Sequence, residues 1–337
     1  MRAFGALGQQ RAFLTVALAY VAFGLAAQLA GLPIRIMLYN IMTLSGLLML
    51  SQGFLLWRIF VLIRSGARGR PTLLLYRDFR KQITLDRLLW ALPAIVLIPA
   101  VISVYTSFKC MIGELTWDTE LAAWDRALHG GDLWHLLQPW LGQYWISYLL
   151  ARIYWAWFLI FQMVLMWQAF AHGPAREQFF VSSVITWGVL GTAGAKLFAS
   201  AGPVFYGRLL GEPNPFAEVT TYVHTLPTWA WLPQDWLWAA YERGDLAGFG
   251  KGISAMPSLH VAVAVLNTLV VWRHSRKLGI AFAIYAALVM LASVHLGWHY
   301  AIDTYAGAAA ATVIWYAVGW ILALLPASSR SQALIAE

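Results

Sequence analysis

The sequence predicts an all-α, polytopic membrane protein of about eight transmembrane helices, and three observations carry that prediction. Hydrophobic residues fill 61% of the 337 positions and charged residues 11%, with a mean hydropathy of +0.65, more apolar surface than one soluble core can hide. Apolar runs of about 20 residues, the length a helix needs to cross the hydrocarbon, recur along the chain. The 19 tryptophans fit the same setting, because indole rings favour the headgroup level of a bilayer. A lone cysteine, Cys110, excludes an internal disulfide and reads as a packing thiol.

The first two runs, at about 13–32 and 36–63, are separated by a tight turn at Gly31-Leu32-Pro33 and form a hairpin. The first is longer than the apolar core of a secretory signal and is read as a span. A basic segment follows, with Arg64, Arg68, Arg70, Arg77, Arg80, Lys81 and Arg87 against Asp78 and Asp86. The third run covers about 88–108. A polar and aromatic stretch containing Asp118, Asp125 and Asp132 then reads as short helices lying along the interface. The fourth and fifth runs, about 145–171 and 179–200, flank His172-Gly173-Pro174, and the proline- and aromatic-rich segment 201–256 reads as a structured lid. The last three runs are about 257–272, 278–296 and 300–325.

Charge sets the expected orientation. If the basic segment is cytoplasmic, alternation of eight spans puts fourteen Lys and Arg on that side and six on the other, despite the longer loops there. Both termini are then cytoplasmic. The net charge of +8 is thereby assigned to topology, and no nucleic-acid partner is expected.

In this arrangement three polar residues meet at the outer mouths of separate spans. His260 lies in Pro257-Ser258-Leu259-His260, and His299 and Asp303 lie in the stretch from Ser293 to Asp303. Ionisable groups at the ends of apolar helices mark functional sites. Pro257 and Ser258 read as the first turn of a helix, whose free N–H groups suit a phosphate. His260 would face the same spot as a proton donor and acceptor. Asp303, four residues after His299, can fix one ring nitrogen as N–H and point the other at substrate. The set supports double displacement at phosphorus: His299 attacks to form a phosphohistidine, His260 protonates the departing oxygen, and then activates water or an alcohol. Arg208, Lys251 and Lys196 are the cations available for phosphate, with Arg208 and Lys251 on the outer side, and Ser258 and Ser293 are further substrate-binding candidates. The scheme requires neither metal nor cofactor. A metal site of His295, His299 and Asp303 is disfavoured, because Gly297 and the change of span break the helix that would align them.

At these residues the sequence resembles the type-2 phosphatidic acid phosphatase superfamily. Its second motif, Pro-Ser-x-His, matches Pro257 to His260, and its third, Ser-Arg-x5-His-x3-Asp, matches Ser293 to Asp303 with Val294 in place of arginine. The first motif, Lys-x6-Arg-Pro, has only a degenerate counterpart from Lys196 through Ala201-Gly202-Pro203 to Arg208. The missing arginines are closest to the inositol phosphorylceramide synthase branch and its bacterial relatives. The resemblance implies a six-helix, phosphatase-type catalytic core. The expected division is a hairpin and basic loop at 1–87, the core at 88–326 and a cytoplasmic tail at 327–337. It also implies metal-independent transfer or hydrolysis of a lipid phosphate headgroup at the periplasmic or lumenal face, most simply of a bacterial inner membrane. The partners expected are a membrane lipid and a polyol or other alcohol acceptor, with water as the alternative acceptor. The sequence leaves the oligomeric state open.

Overall fold

A computed structural model describes residues 10–66, 71–82, 84–245, 248 and 250–325. The tail at 327–337 and Arg2, Arg68, Arg70 and Arg330, used above to orient the chain, lie outside the described residues. Among those described there is no strand, and the chain folds as a helical bundle. Among the described residues seven helices are long and apolar enough to cross a membrane, and the apolar helix at Leu259–His274, 16 residues long, stands where the sequence predicts a further crossing. At 1.5 Å per residue that helix spans about 24 Å, short of a hydrocarbon core of about 30 Å.

The long helices are α1 (Arg11–Leu29), α2 (Asn40–Arg64), α4 (Leu85–Lys109), α7 (Tyr144–Phe170), α8 (Pro174–Leu197), α12 (Leu259–His274), α13 (Arg276–His295) and α14 (Ala301–Leu324). Between them lie α3 (Pro71–Gln82), α5 (Asp118–His129), α6 (Leu133–Leu141), α9 (Tyr206–Leu210), α10 (Ala217–Val223) and α11 (Thr228–Glu242). The aromatic segment after α4 and the segment after α8 thus fold as short helices. α12 packs against both α13 and α14, and α7 covers α13, so these four form the centre of the bundle. α8 widens to π-helical winding over Thr186–Gly194, a local irregularity often found beside functional sites. There Gly191 lets Tyr105 and Leu259 approach so closely that a Cβ would lie 2.8 Å from each.

The N-terminal hairpin is tied to the bundle by side chains of α4. Ser103 and Ser107 accept hydrogen bonds from the backbone N–H groups of Tyr39 and Arg35 at 2.9 and 3.0 Å. Such bonds matter in a bilayer, where an unpaired backbone group has no water to turn to. At the opposite end, buried Arg176 donates to Gln10 Oε1 at 2.9 Å and to the Gln168 carbonyl at 3.0 Å, and stacks on Trp90. That end clasps the start of α1, the start of α4 and the turn between α7 and α8. The other end, where α4 and α13 finish and α12 and α14 begin, carries the histidines.

Candidate active site

The site is built where α12 and α14 start side by side. α12 begins two residues later than the sequence pattern suggests: Ser258 is its N-cap, in extended conformation, and Leu259 its first helical residue. The Ser258 N–H is therefore not a free anion donor, because it bonds the Asp303 carbonyl at 3.0 Å. The two helix starts touch so closely that a Cβ on Gly307 would lie 2.3 Å from the Ser258 carbonyl oxygen. Only a glycine fits this contact without displacing backbone.

His299 precedes α14 in a turn opened by Gly297 at φ +74°, which is left-handed backbone that favours glycine. The Ser293 carbonyl holds the turn by accepting from the N–H groups of Trp298 and His299 at 2.9 and 3.3 Å. His299 is 6% exposed and Asp303 fully buried. Nδ1 of His299 lies 3.4 Å from Asp303 Oδ2, and the same carboxylate oxygen accepts the Tyr300 N–H at 3.0 Å. At 3.4 Å the ring nitrogen and the carboxylate are within ion-pair reach without forming a hydrogen bond. The ring's other nitrogen, Nε2, lies 3.1 Å from the Ser258 hydroxyl, which can donate to its lone pair. The pattern fits an imidazole protonated on Nδ1 with its nucleophilic electrons on Nε2.

His260 sits in an aromatic collar from α7. Its ring stacks on Tyr154 at 5.1 Å between centroids and tilts against Trp157 at 4.5 Å, while the Trp157 indole N–H donates to the His260 carbonyl at 2.8 Å. Tyr154 in turn stacks on Trp298, the neighbour of His299, at 6.1 Å. Among the described residues no hydrogen bond occupies a ring nitrogen of His260, so both remain available to a ligand. His260 and His299 line one cavity of about 560 Å³. The cavity runs from these rings between α2 and α7 to Gly46, Gln162 and Leu165. From Tyr154 to Leu165 along α7 is about 16 Å, half the thickness of the hydrocarbon. Its lining is mainly apolar, as a chain-like ligand needs, with Thr43, Ser45 and Gln162 the polar side chains at this end.

The remaining sequence candidates fall in different places. Ser258 contacts His299, as described. The Ser293 hydroxyl donates to the Met290 carbonyl within α13 at 2.8 Å, so this residue serves the turn through its own carbonyl. Lys251 lines the cavity, and its ammonium donates to Asp245 at 2.8 Å, which holds that carboxyl below the usual carboxylate range. Lys196 does not line the cavity, because its ammonium is drawn to the Ile112 carbonyl. Arg208 does not line it either, being held by Asp235. His295 points to Ser147, with Nε2 2.7 Å from the hydroxyl, and belongs to a buried network with Tyr222.

Two residues of the site are missing from the sequence candidates. Asp118, at the start of α5, accepts the N–H groups of Ala201 and Gly202 at 2.7 and 2.8 Å and the Tyr300 hydroxyl at 2.9 Å. Burial pushes its carboxyl up and the backbone donors pull it back. It joins the 201–202 loop to the turn that carries His299. The available signal was an aspartate inside an aromatic, apolar stretch. The second is Lys109, the last residue of α4, which lines the cavity together with Lys251. No carboxylate is among the described residues lining it.

Residues 119–317, from α5 through most of α14, match the family model of the PAP2 superfamily. The chain belongs to the PAP2 superfamily. It is thus a polytopic membrane protein of phosphatase type, a class of lipid enzymes, and both histidines and Asp303 fall inside the matched region. No curated protein and no solved structure matches the chain.

Proposed function

We propose that this protein moves a phosphate or phospho-headgroup from a membrane lipid to an alcohol through a phosphohistidine at His299, as an inositol phosphorylceramide synthase-like member of its superfamily. The observation that carries the chemistry is the approach of His299 Nδ1 to buried Asp303, with Nε2 beside the Ser258 hydroxyl and the residue on the wall of the cavity it shares with His260.

In the first half-reaction the Nε2 lone pair attacks phosphorus, the bond from phosphorus to the lipid oxygen breaks, and protonated His260 gives its proton to that oxygen. In the second, neutral His260 takes the proton of the acceptor hydroxyl, the acceptor oxygen attacks phosphorus, and the phosphorus–nitrogen bond breaks. Charge accumulates on the non-bridging oxygens in both transition states, so cations in the cavity would supply much of the rate. The deep, mainly apolar part of the cavity would take the lipid chain. The aromatic collar of Tyr154, Trp157 and Trp298 would limit water at phosphorus, which favours an alcohol over hydrolysis. The charge asymmetry of the loops supports a site on the extracytoplasmic face.

The test is incubation in right-side-out and inverted vesicles with a panel of labelled short-chain phospholipids, with and without inositol or another polyol. We expect new labelled phospho-alcohol or lipid product in right-side-out vesicles, and none from His299→Ala. Free phosphate in place of that product would make the enzyme a hydrolase. Product in inverted vesicles alone would reverse the orientation, and turnover by His299→Ala equal to wild type would remove the phosphohistidine.

A further inference from the structure

The PAP2 motifs of this chain lack arginine in both places where the superfamily carries it, at Val294 and in the degenerate segment after Lys196. Other cations must face the phosphate if the preceding reading holds, and the structure narrows the choice. Lys196 is engaged by the Ile112 carbonyl, Arg208 by Asp235, and Arg152 by the faces of Trp229 and Tyr148. Lys251 reaches the cavity already neutralised by Asp245. Lys109 differs from all of these. It lines the cavity that holds both histidines, and among the described residues no carboxylate or hydrogen-bond acceptor pairs with it.

Its position is built, not accidental. Lys109 closes α4, and the loop at 250–254 folds across it: Gly252, at φ +83°, lies so near that a Cβ would stand 3.1 Å from Lys109 Cγ and 3.0 Å from the Cys110 nitrogen. The Tyr39 hydroxyl accepts the N–H of Gly250 at 3.0 Å and pins that loop to the N-terminal hairpin. A lone ammonium in an apolar cavity costs free energy unless an anion joins it. With two histidines, two lysines and no carboxylate on the described wall, the anion has to come from the ligand.

We infer that Lys109 is the phosphate-binding cation of this enzyme, standing in for the absent motif arginines and supplied by a helix that precedes the family-matched region. It binds the non-bridging oxygens of a phosphate ester, while Lys251, shared with Asp245, contributes less. An ammonium is a point charge and not a fork, so it tolerates both monoesters and diesters.

The test measures equilibrium binding of labelled inorganic phosphate, and separately of a short-chain phospholipid, to detergent-solubilised full-length protein. Variants are Lys109→Met, Lys109→Gln, Lys109→Arg and Lys196→Met. Loss of a charged hydrogen-bonding partner should weaken phosphate binding by about 10- to 100-fold in the Met and Gln variants. Lys109→Arg should restore most of it, and Lys196→Met should bind as wild type. Should Lys109→Met not fold, the contrast between the Gln and Arg variants gives the same reading. The inference is overturned if wild type binds neither phosphate nor the phospholipid, if Lys109→Gln binds as wild type, or if Lys196→Met loses as much as Lys109→Gln. Should binding depend on Lys109 while no lipid is turned over, the anion site stands and the proposed reaction falls. If Lys109→Gln turns over normally while His299→Ala is dead, the reaction stands and the anion site falls.

Discussion

His299 can act as a nucleophile only if its proton stays on the nitrogen that faces away from phosphorus, and one carboxylate is placed to keep it there. Asp303 Oδ2 lies within ion-pair reach of His299 Nδ1 and accepts the Tyr300 N–H, so a single buried group faces the ring and starts α14. Asp303→Asn separates these tasks. An amide oxygen can still accept from Tyr300, so the fold should hold, but the neutral amide no longer stabilises the imidazolium or commits the tautomer. We expect kcat to fall by about 10²- to 10⁴-fold with little change in lipid binding. A kcat within twofold of wild type at saturating substrate would mean that Asp303 caps the helix and does no more. The two histidines and Asp303 were legible in the sequence because polar groups at the ends of apolar runs are costly and therefore conspicuous. Lys109 was not. In sequence it is one of six similar outer-side cations, and what sets it apart is that Arg126, Arg208, Arg243 and Lys251 are held by carboxylates and Arg35 does not line the cavity, a property of the folded chain alone.

At the scale of elements, the site depends on how closely α12 and α14 begin. The Gly307 contact with the Ser258 carbonyl and the Ser258 N–H bond to the Asp303 carbonyl hold the two starts in register. Gly307→Ala places a methyl group against the fixed backbone of Ser258. It should cost about 1–3 kcal/mol through overpacking, lower Tm and reduce turnover by moving Ser258 away from His299 Nε2. Gly53→Ala, in α2 with no heavy atom within 4 Å of its Cβ position, is the matched control and should leave both unchanged. Equal effects from the two substitutions would show that the close approach is unimportant. The sequence pattern located these helices to within a few residues, yet it put Pro257 and Ser258 inside the first turn of α12. Proline at a helix start and proline just before one look alike until the N–H partner of Ser258 is known. Likewise Asp118 looked like an ordinary interfacial polar residue, since its three donors come from segments about 83 and 182 positions away.

At the scale of the whole molecule, alternation of the apolar runs brought the ends of α4 and α13 and the starts of α12 and α14 to one face, and the fold joins them around one cavity. Seven of the eight expected crossings meet the required length among the described residues, because hydrocarbon thickness dictates apolar length. The cavity was not, because it lies between α2, α4 and α7, whose facing surfaces carry no periodic signal distinct from lipid-facing ones. Both histidines line this chamber, and in the proposed reaction one holds phosphorus while the other manages protons. The measurement that tests it most directly is rapid acid-free quenching of the enzyme with a ³²P-labelled lipid phosphate, followed by mapping of the label. The account predicts an acid-labile, base-stable phosphate on the peptide containing His299, formed within one turnover and absent from His299→Ala. Label on another residue, or turnover that proceeds with no labelled protein at any time, would contradict it.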